Sequence, residues 1–260
     1  MSDYKFCKVE DRGAIRVVTI DRSDVMNALH GPAHLELSAV WDEFAERSDL
    51  WLAIVTGAGE RAFCAGNDLK AQAAAGYGAA MPAAGFGGLT HRFDLDKPVI
   101  AAVNGVAMGG GFEIALACDI VVASENAVFA FPEPRVGLIA SAGGIHRLPR
   151  MIPQKEAMGM LLTGRRVPAA EGRALGFVNE VVPEGEAMAG ATRWAERILE
   201  CSPMAIRATK QSFLRGSDEA TLETAMRTMY PAHKQNRESR DFVEGPKAFA
   251  EKRKPVWQNR

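Results

Sequence analysis

Five short apolar runs, each rich in β-branched residues and bounded by glycine, proline or charged residues, most constrain the fold. They lie at 15–20, 52–56, 99–103, 120–122 and 128–131. Runs of this length and composition are typical of buried strands. Between the first two runs, apolar side chains recur at helical spacing at Leu37, Val40, Trp41 and Phe44. Strands that alternate with helices predict an α/β core.

The pattern changes after about residue 185, where helical signals replace strand signals. Ser202 and Pro203 suit the N-cap and first position of a helix, and the segment 217–230 opens with further capping residues. We therefore predict a core domain at 1–185 and a helical subdomain at 186–260. Within the core, the Ala- and Gly-rich segment 71–88 is interpreted either as a linker or as a loop over a pocket.

Composition excludes several classes of protein. The 260 residues are 47% hydrophobic, enough for a large core, and the formal net charge is -1. That charge provides no global field for nucleic acid or an anionic membrane. No apolar stretch reaches the roughly 18 residues of a spanning helix, and the first residues resemble neither a signal nor a transit peptide. We expect a cytoplasmic protein without nucleic-acid or membrane partners.

Cysteine and histidine spacing predicts no metal site. The four cysteines are scattered and are interpreted as reduced core thiols: Cys7, Cys64, Cys118 and Cys201. Of the five histidines, only His30 and His34 are one helical turn apart, and we expect them on a polar helix face. No nucleotide-binding fingerprint is present, and Ser141 lacks the context of a nucleophile elbow.

Two turns rich in small residues follow predicted strands. The first joins the strand at 99–103 to an apolar helix through the glycines 109–111, with Glu113 in the first helical turn. The second lies at 60–70. Glycine allows another group to approach the backbone, and free N–H groups at a helix start can receive an oxyanion. Two such turns could clamp one carbonyl oxygen, but each is also consistent with packing alone.

A third candidate is Glu133, which lies between Pro132 and Pro134 after an apolar strand. The prolines restrict the backbone and remove neighbouring donors. The carboxyl is therefore either a surface charge or a buried acid whose raised pKa suits proton transfer.

Four segments resemble, in this order, segments of the crotonase superfamily, the enoyl-CoA hydratase/isomerase family: AFCAGNDL, KPVIAAVNGVAMGGGFEIALACDIVVAS, FAFPEPRVGLIASAGGIHRLPR and AFAEKRKPVW. The resemblance spans nearly the whole chain. It implies a spiral of ββα units with a C-terminal helical trimerisation subdomain. It also implies a homotrimer or a dimer of trimers, and acyl-CoA thioester substrates with no separate cofactor.

The resemblance also implies roles for particular residues. The backbone amides of Asn67 and Gly110 match the oxyanion hole that stabilises a thioester enolate. Glu113 resembles the residue that activates water for attack at C3, and Glu133 resembles the donor of a proton to C2. Residues matching the CoA-binding positions are Ala65, Gly66, Asp68, Leu69 and Lys70, with Phe249 and Lys252 from the C-terminal helix.

These matches favour an enoyl-CoA hydratase, since hydratases of this family carry both acids. The alternatives are a Δ3,Δ2-enoyl-CoA isomerase, a dehydratase of carnitinyl-CoA or aromatic acyl-CoA substrates, and a non-catalytic binding protein with the same fold. Ala140 and Ser141 replace a Pro-Asp pair found in many members, which leaves the acyl specificity open. We expect Phe86 and Leu89 to wall the acyl pocket.

Overall fold

The computed structural model describes residues 4–75 and 81–260. In this part of the chain the strands are β1 Cys7–Arg12, β2 Ile15–Ile20, β3 Leu52–Gly57, β4 Ala62–Cys64, β5 Val99–Val103, β6 Val106–Met108, β7 Ile120–Ser124, β8 Val128–Ala130, β9 Val167–Pro168 and β10 Glu180–Val182. The helices are α1 Gly31–Glu46, α2 Leu69–Ala75, α3 Gly110–Ala117, α4 Gly144–Met151, α5 Gln154–Thr163, α6 Ala169–Leu175, α7 Ala187–Leu199, α8 Pro203–Gly216, α9 Leu222–Arg227, α10 Pro231–Glu238 and α11 Arg240–Ala250.

The chain divides into two compact units. The first comprises Met1–Arg92 and Val99–Arg193, and the second comprises Phe93–Pro98 and Trp194–Arg260. The boundary between them therefore falls within α7. The division of the chain after residue 185, together with the role of the C-terminal part in trimerisation, stays a prediction.

The larger sheet of the first unit has the strand order β1-β2-β3-β5-β7-β10. The pairing of β1 with β2 is antiparallel, and the remaining pairs are parallel. Strands β3 and β5 are buried along their whole length, which explains their continuous apolar sequences. This sheet forms the core against which α1 packs the side chains of Leu37, Val40, Trp41 and Phe44.

The smaller sheet has the order β4-β6-β8-β9, with β4, β6 and β8 mutually parallel. Strands therefore alternate between the two sheets: β3, β5 and β7 join the larger one, while β4, β6 and β8 join the smaller one. The first two of these pairs lead into α2 and α3, which gives repeated ββα units. Parallel neighbours end at the same edge of a sheet, so β4, β6 and β8 bring three loops together.

All five predicted strands and the helix before β3 are confirmed. The strands missed by sequence reasoning are short or polar: β1, β4, β6, β9 and β10. The helices α4–α6 were not predicted either. The Ala- and Gly-rich segment 71–88 contains the end of α2 and a 3-10 turn at Phe86–Gly88, and the part at 76–80 lies outside the described residues.

Two expectations about side chains are wrong. His34 is 2% exposed rather than on a polar face, because α1 turns it toward the Phe86–Gly88 turn. Cys201 is exposed, whereas Cys7, Cys64 and Cys118 are buried as expected. Cys201 lies at the end of α7, beyond the apolar face of that helix.

The second unit contains the end of α7 and the helices α8 to α11, as the sequence predicts, while residues 251–260 are not helical. The Ser202 hydroxyl accepts from the Ala205 amide and caps α8. The same hydroxyl donates to Asp241 Oδ2 at 2.9 Å, and Asp241 Oδ1 accepts from the Gln258 amide at 2.7 Å. These bonds tie the C-terminal residues to α8 and α11. No helix of the described chain has the length and apolarity needed to cross a membrane.

Candidate active site

The site forms where β4, β6 and β8 end. Cys64 pairs with Ala107, one residue before the end of β6, and Met108 pairs with Ala130, so the three strands end at nearly the same level. The loops that follow carry Asn67, Gly110 and Glu133. The topology of the smaller sheet thus gathers three segments that are distant in sequence.

The turn after β4 directs the backbone amide of Asn67 away from Leu29, the residue with which Asn67 is paired. Leu29 forms an isolated parallel bridge with Asn67, in which the Leu29 amide donates to Gly66 and the Asp68 amide donates to Leu29, both at 2.8 Å. Bonds to the two flanking residues leave the Asn67 N–H on the opposite side. In the described part of the chain, this amide donates to no backbone carbonyl.

The turn after β6 packs directly on the turn after β4. Gly66 has φ +94°, and a Cβ there would lie 2.7 Å from the Met108 oxygen and 3.3 Å from the Gly110 nitrogen. A Cβ on Gly111 would collide with the Cys64 carbonyl. Gly110 is the first residue of α3, where amides have no partner within the helix. Glycine is required here because two backbones meet.

Glu133 lies against this glycine turn. A Cβ on Gly109, which has φ +51°, would be 2.6 Å from Glu133 Oε1. Within the described residues, the buried Oε2 atom of Glu133 has no hydrogen-bond partner. Burial raises the pKa of this carboxyl, with a smaller lowering by its own backbone amide. The acid is therefore not a surface charge, which resolves the alternative left open by the sequence.

Glu113 is 3% exposed and projects from α3 toward the start of α4. Its Oε1 accepts from the Gly144 amide at 2.8 Å. Burial raises the pKa of Glu113 to about 7, and the charge of Glu133 adds to this rise, while the amides of Gly144 and Ala142 oppose it. The charge of Glu133 thus acts on Glu113.

Arg147 provides the positive charge of the site. Its side chain is largely buried, donates to the Thr90 carbonyl at 2.7 Å, and lies where a side chain on Gly143 would project. Its charge lowers the pKa of Glu113, although less than burial raises it. Both carboxyl pKa values are raised, so each acid retains its proton to higher pH than an exposed carboxyl, as suits proton transfer.

The segment predicted to bind CoA, residues 65–70, begins directly after β4 and includes Asn67. Ala65 donates its amide to the Met26 carbonyl at 3.0 Å. The carboxylate of Asp68 bonds to Arg22 at 3.1 Å and accepts from the Ala71 amide, so it caps α2. Leu69 and Lys70 are exposed.

Phe249 and Lys252 belong to the second unit. Phe249 is 87% exposed, and Lys252 is exposed with φ +54° just after α11. Their part in CoA binding stays a prediction, as does that of residues 65–70.

The two residues that depart from the family pattern differ in environment. Ala140 is 2% exposed, and a Cβ on Gly144 would lie 2.9 Å from its methyl group. Ser141 is exposed. The small side chain of Ala140 therefore lies next to the amide that holds Glu113, while Ser141 points away from the core.

Sequence reasoning missed Leu29, Gly144 and Arg147. The glycine pair 143–144 could have indicated the N-terminus of α4 from sequence. In the structure Gly143 precedes this helix with φ +118°, a backbone conformation that favours glycine. The role of Arg147 depends on contacts with residues more than thirty positions away and has no local signal. Among the described residues, no cluster of three His, Cys, Asp or Glu side chains could hold a metal ion.

Two backbone turns, two carboxyls with raised pKa values and a spiral of ββα units define an α/β enzyme scaffold of the crotonase type. Comparison with known proteins agrees. The model of the enoyl-CoA hydratase/isomerase family matches residues 10–260. The chain belongs to this family, in the crotonase superfamily, and the predicted fold class is confirmed.

Among relatives by sequence, the carnitinyl-CoA dehydratase of Proteus mirabilis is 43% identical, over 96% of this chain and 97% of that protein. The carnitinyl-CoA dehydratase of Escherichia coli is 44% identical, over 95% of this chain and 96% of that protein. Among solved structures, enoyl-CoA hydratase from Mycobacterium tuberculosis has a TM-score of 0.90 at 37% identity, covering 98% of this chain and 99% of that one. Carnitinyl-CoA hydratase from Mycobacterium avium has a TM-score of 0.78 at 40% identity, with 99% and 100% covered.

Proposed function

We propose that the protein is a hydro-lyase that interconverts a 3-hydroxyacyl-CoA and its 2,3-enoyl-CoA. The observation that carries this proposal is that two carboxyls, the buried Glu113 and the half-buried Glu133, lie beside a glycine turn with open backbone amides. Addition or loss of water across a double bond needs one group to handle the water and another to handle the C2 proton. The two acids supply both functions.

The thioester oxygen would accept hydrogen bonds from the amides of Asn67 and Gly110. Charge accumulates on this oxygen when C2 loses or gains a proton, so the amides stabilise the enolate more than the ground state. One such donor is worth about 2–4 kcal/mol of transition-state stabilisation in enzymes where it has been removed. The packing of Gly66 on Gly110 supports this assignment, because it holds the two turns together before substrate binds.

In the hydration direction, ionised Glu113 would accept a proton from water as the oxygen bonds to C3. Protonated Glu133 would donate its proton to C2, and the electrons of the enolate form the new C–H bond. Dehydration is the reverse, with loss of the C2 proton and the C3 hydroxyl as water. The position of Glu133 beside Gly109 supports its role at C2, since C2 is bonded to the thioester carbon that the amides hold.

For the CoA part of the substrate we propose the segment after β4, with Ala65, Gly66, Leu69 and Lys70 as contacts. Asp68 would act indirectly, by capping α2 and pairing with Arg22. Phe249 and Lys252 are further proposed contacts. We also propose a homotrimer or dimer of trimers as the assembly, and no cofactor beyond the CoA of the substrate.

As the substrate we propose carnitinyl-CoA in preference to a simple straight-chain enoyl-CoA. This choice rests on the two carnitinyl-CoA dehydratases that are 43% and 44% identical over nearly the whole chain. It takes up one of the alternatives to the enoyl-CoA hydratase that the sequence motifs favour. A simple enoyl-CoA is the second candidate, supported by the TM-score of 0.90 to an enoyl-CoA hydratase.

The test is a comparison of kcat/KM for carnitinyl-CoA dehydration and crotonyl-CoA hydration. A higher value for carnitinyl-CoA supports the proposal, and a value at least tenfold higher for crotonyl-CoA would assign the enzyme to simple enoyl-CoA substrates.

Glu133→Gln should lower turnover by about 10²–10⁴-fold, since general acid catalysis contributes this much. Full turnover in Glu133→Gln would contradict the paired-acid mechanism.

A further inference from the structure

The buried imidazole of His34 is not used by the chemistry described above. It lies in α1, is 2% exposed, and contacts the Phe86–Gly88 turn rather than solvent. Its Nδ1 accepts from the Gly87 amide at 3.0 Å. Its ring meets the Phe86 ring edge to face, with centroids 4.4 Å apart.

Phe86 in turn contacts the oxyanion turn. A Cβ on Gly110 would lie 2.7 Å from Phe86 Cε2, so the ring occupies the space beside this glycine. Phe86 itself is 5% exposed, and its amide donates to the Thr90 hydroxyl at 2.9 Å. The ring therefore forms a wall directly next to the amide that would bind the thioester oxygen.

The turn that carries Phe86 is held by two side chains on one face of α1. Trp41 Nε1 donates to the Gly87 carbonyl at 3.0 Å, two helical turns along from His34. Gly87 has φ +62°, and a Cβ there would meet Ile114 of α3 at 2.7 Å. One helix thus satisfies both backbone polar groups of a residue at which only glycine fits.

We propose that His34 is a positioning residue that, with Trp41, holds the Phe86 ring against Gly110 and so sets the size of the acyl side of the site. The effect on the acyl side of the site rests on the proposed acyl-CoA function. The contact of the Phe86 ring with Gly110 does not depend on that function. Burial lowers the pKa of His34 to about 4, so the ring is neutral at ordinary pH. A neutral ring leaves Nδ1 free to accept from Gly87.

The effect is measured as selectivity between saturated acyl groups, which bind without turnover. The dissociation constants of butyryl-CoA and octanoyl-CoA are determined by calorimetry for each variant. Phe86→Ala removes the wall and should shift their ratio about tenfold toward octanoyl-CoA, a size typical of a change in an apolar pocket. His34→Leu should shift the ratio in the same direction, by about threefold or more.

Three further variants separate positioning from general damage. The double variant of His34→Leu and Phe86→Ala should shift the ratio no further than Phe86→Ala alone, because His34 acts through Phe86. His34→Asn keeps an acceptor for Gly87 and should restore part of the wild-type ratio. Val18→Ala, a change in the buried core at β2, should lower stability and leave the ratio unchanged.

The crystal structure of His34→Leu provides a readout that needs no ligand. We expect the Phe86 ring to leave its contact with Gly110. An unmoved ring, an unchanged ratio in His34→Leu, or additive shifts in the double variant would overturn the proposal. A wild-type protein that binds no acyl-CoA would instead refute the proposed function, while the ring position would still decide the role of His34.

Discussion

The carboxylate of Glu133 occupies the space into which a side chain at Gly109 would project. The distance from an ideal Cβ at Gly109 to Glu133 Oε1 is 2.6 Å, and the backbone at Gly109 has φ +51°. The acid and the turn are therefore complementary in shape. This contact fixes where the proposed proton donor lies relative to the amide of Gly110.

Gly109→Ala should separate catalysis from stability. The methyl group would displace the carboxylate, and we expect kcat/KM to fall at least about 100-fold, since misplacement by 1 Å can cost this much. Gly13→Ala is the matched control: Gly13 has φ +61° but no atom within 4 Å of an added Cβ. The control should lose about 1–2 kcal/mol of unfolding free energy from backbone strain and keep its turnover. Equal activity in both variants would contradict the fit between Gly109 and Glu133.

Glu113→Gln should make the protein more stable at alkaline pH. The folded-state pKa of Glu113 is raised to about 7 from an ordinary 4.5. A raised pKa contributes stability below 4.5 that is lost as pH rises through 7, because the folded state binds the proton more tightly. A neutral Gln avoids this loss, so the variant should gain up to about 3 kcal/mol over wild type at pH 8.

This gain is measured by urea denaturation of both proteins at pH 4.5 and pH 8. The difference in unfolding free energy should be larger at pH 8 than at pH 4.5. A difference independent of pH would show that Glu113 does not titrate abnormally. The same variant should lose hydration activity, so that stability and turnover change in opposite directions.

Arg147→Met should move the acidic limb of the pH–rate profile for hydration to higher pH. Arg147 lowers the pKa of Glu113, so loss of its charge raises that pKa further. Because the proposed hydration step uses ionised Glu113, activity would then appear only at higher pH. The measurement is kcat/KM against pH, with Arg147→Lys as the charge-conserving control. A profile unchanged in Arg147→Met would remove Arg147 from the electrostatics of the site.

Ser202→Ala should destabilise the second unit. The hydroxyl caps α8 through the Ala205 amide and also donates to the buried Asp241 carboxylate. Loss of a cap together with a buried hydrogen bond costs about 1–3 kcal/mol. Thermal unfolding reports the loss, and Thr209→Ala on the exposed face of α8 serves as the control. An equal change in both variants would mean that the Ser202 bonds contribute no special stability.

The sequence predicts the central strands of the larger sheet because each is a continuous apolar run. It does not predict β4, β6 or β9, since two or three residues are too few to show a period. Glu113 and Glu133 were identified from local motifs, and in the structure Glu113 is buried and Glu133 is half-buried. His34 could not be interpreted correctly, because its partner Gly87 is 53 residues away and only tertiary contacts bury it.

The two amide turns and Glu133 all begin at the ends of three adjacent strands, none longer than three residues. Because the three strands are hydrogen-bonded neighbours in one small sheet, we expect them to lose their structure together. Heating that loosens β6 displaces the amide of Gly110 and frees the neighbouring β8 loop at the same moment. The enzyme should therefore have no loosened but active state, and turnover should vanish at the temperature where the amides of β6 lose protection from hydrogen exchange.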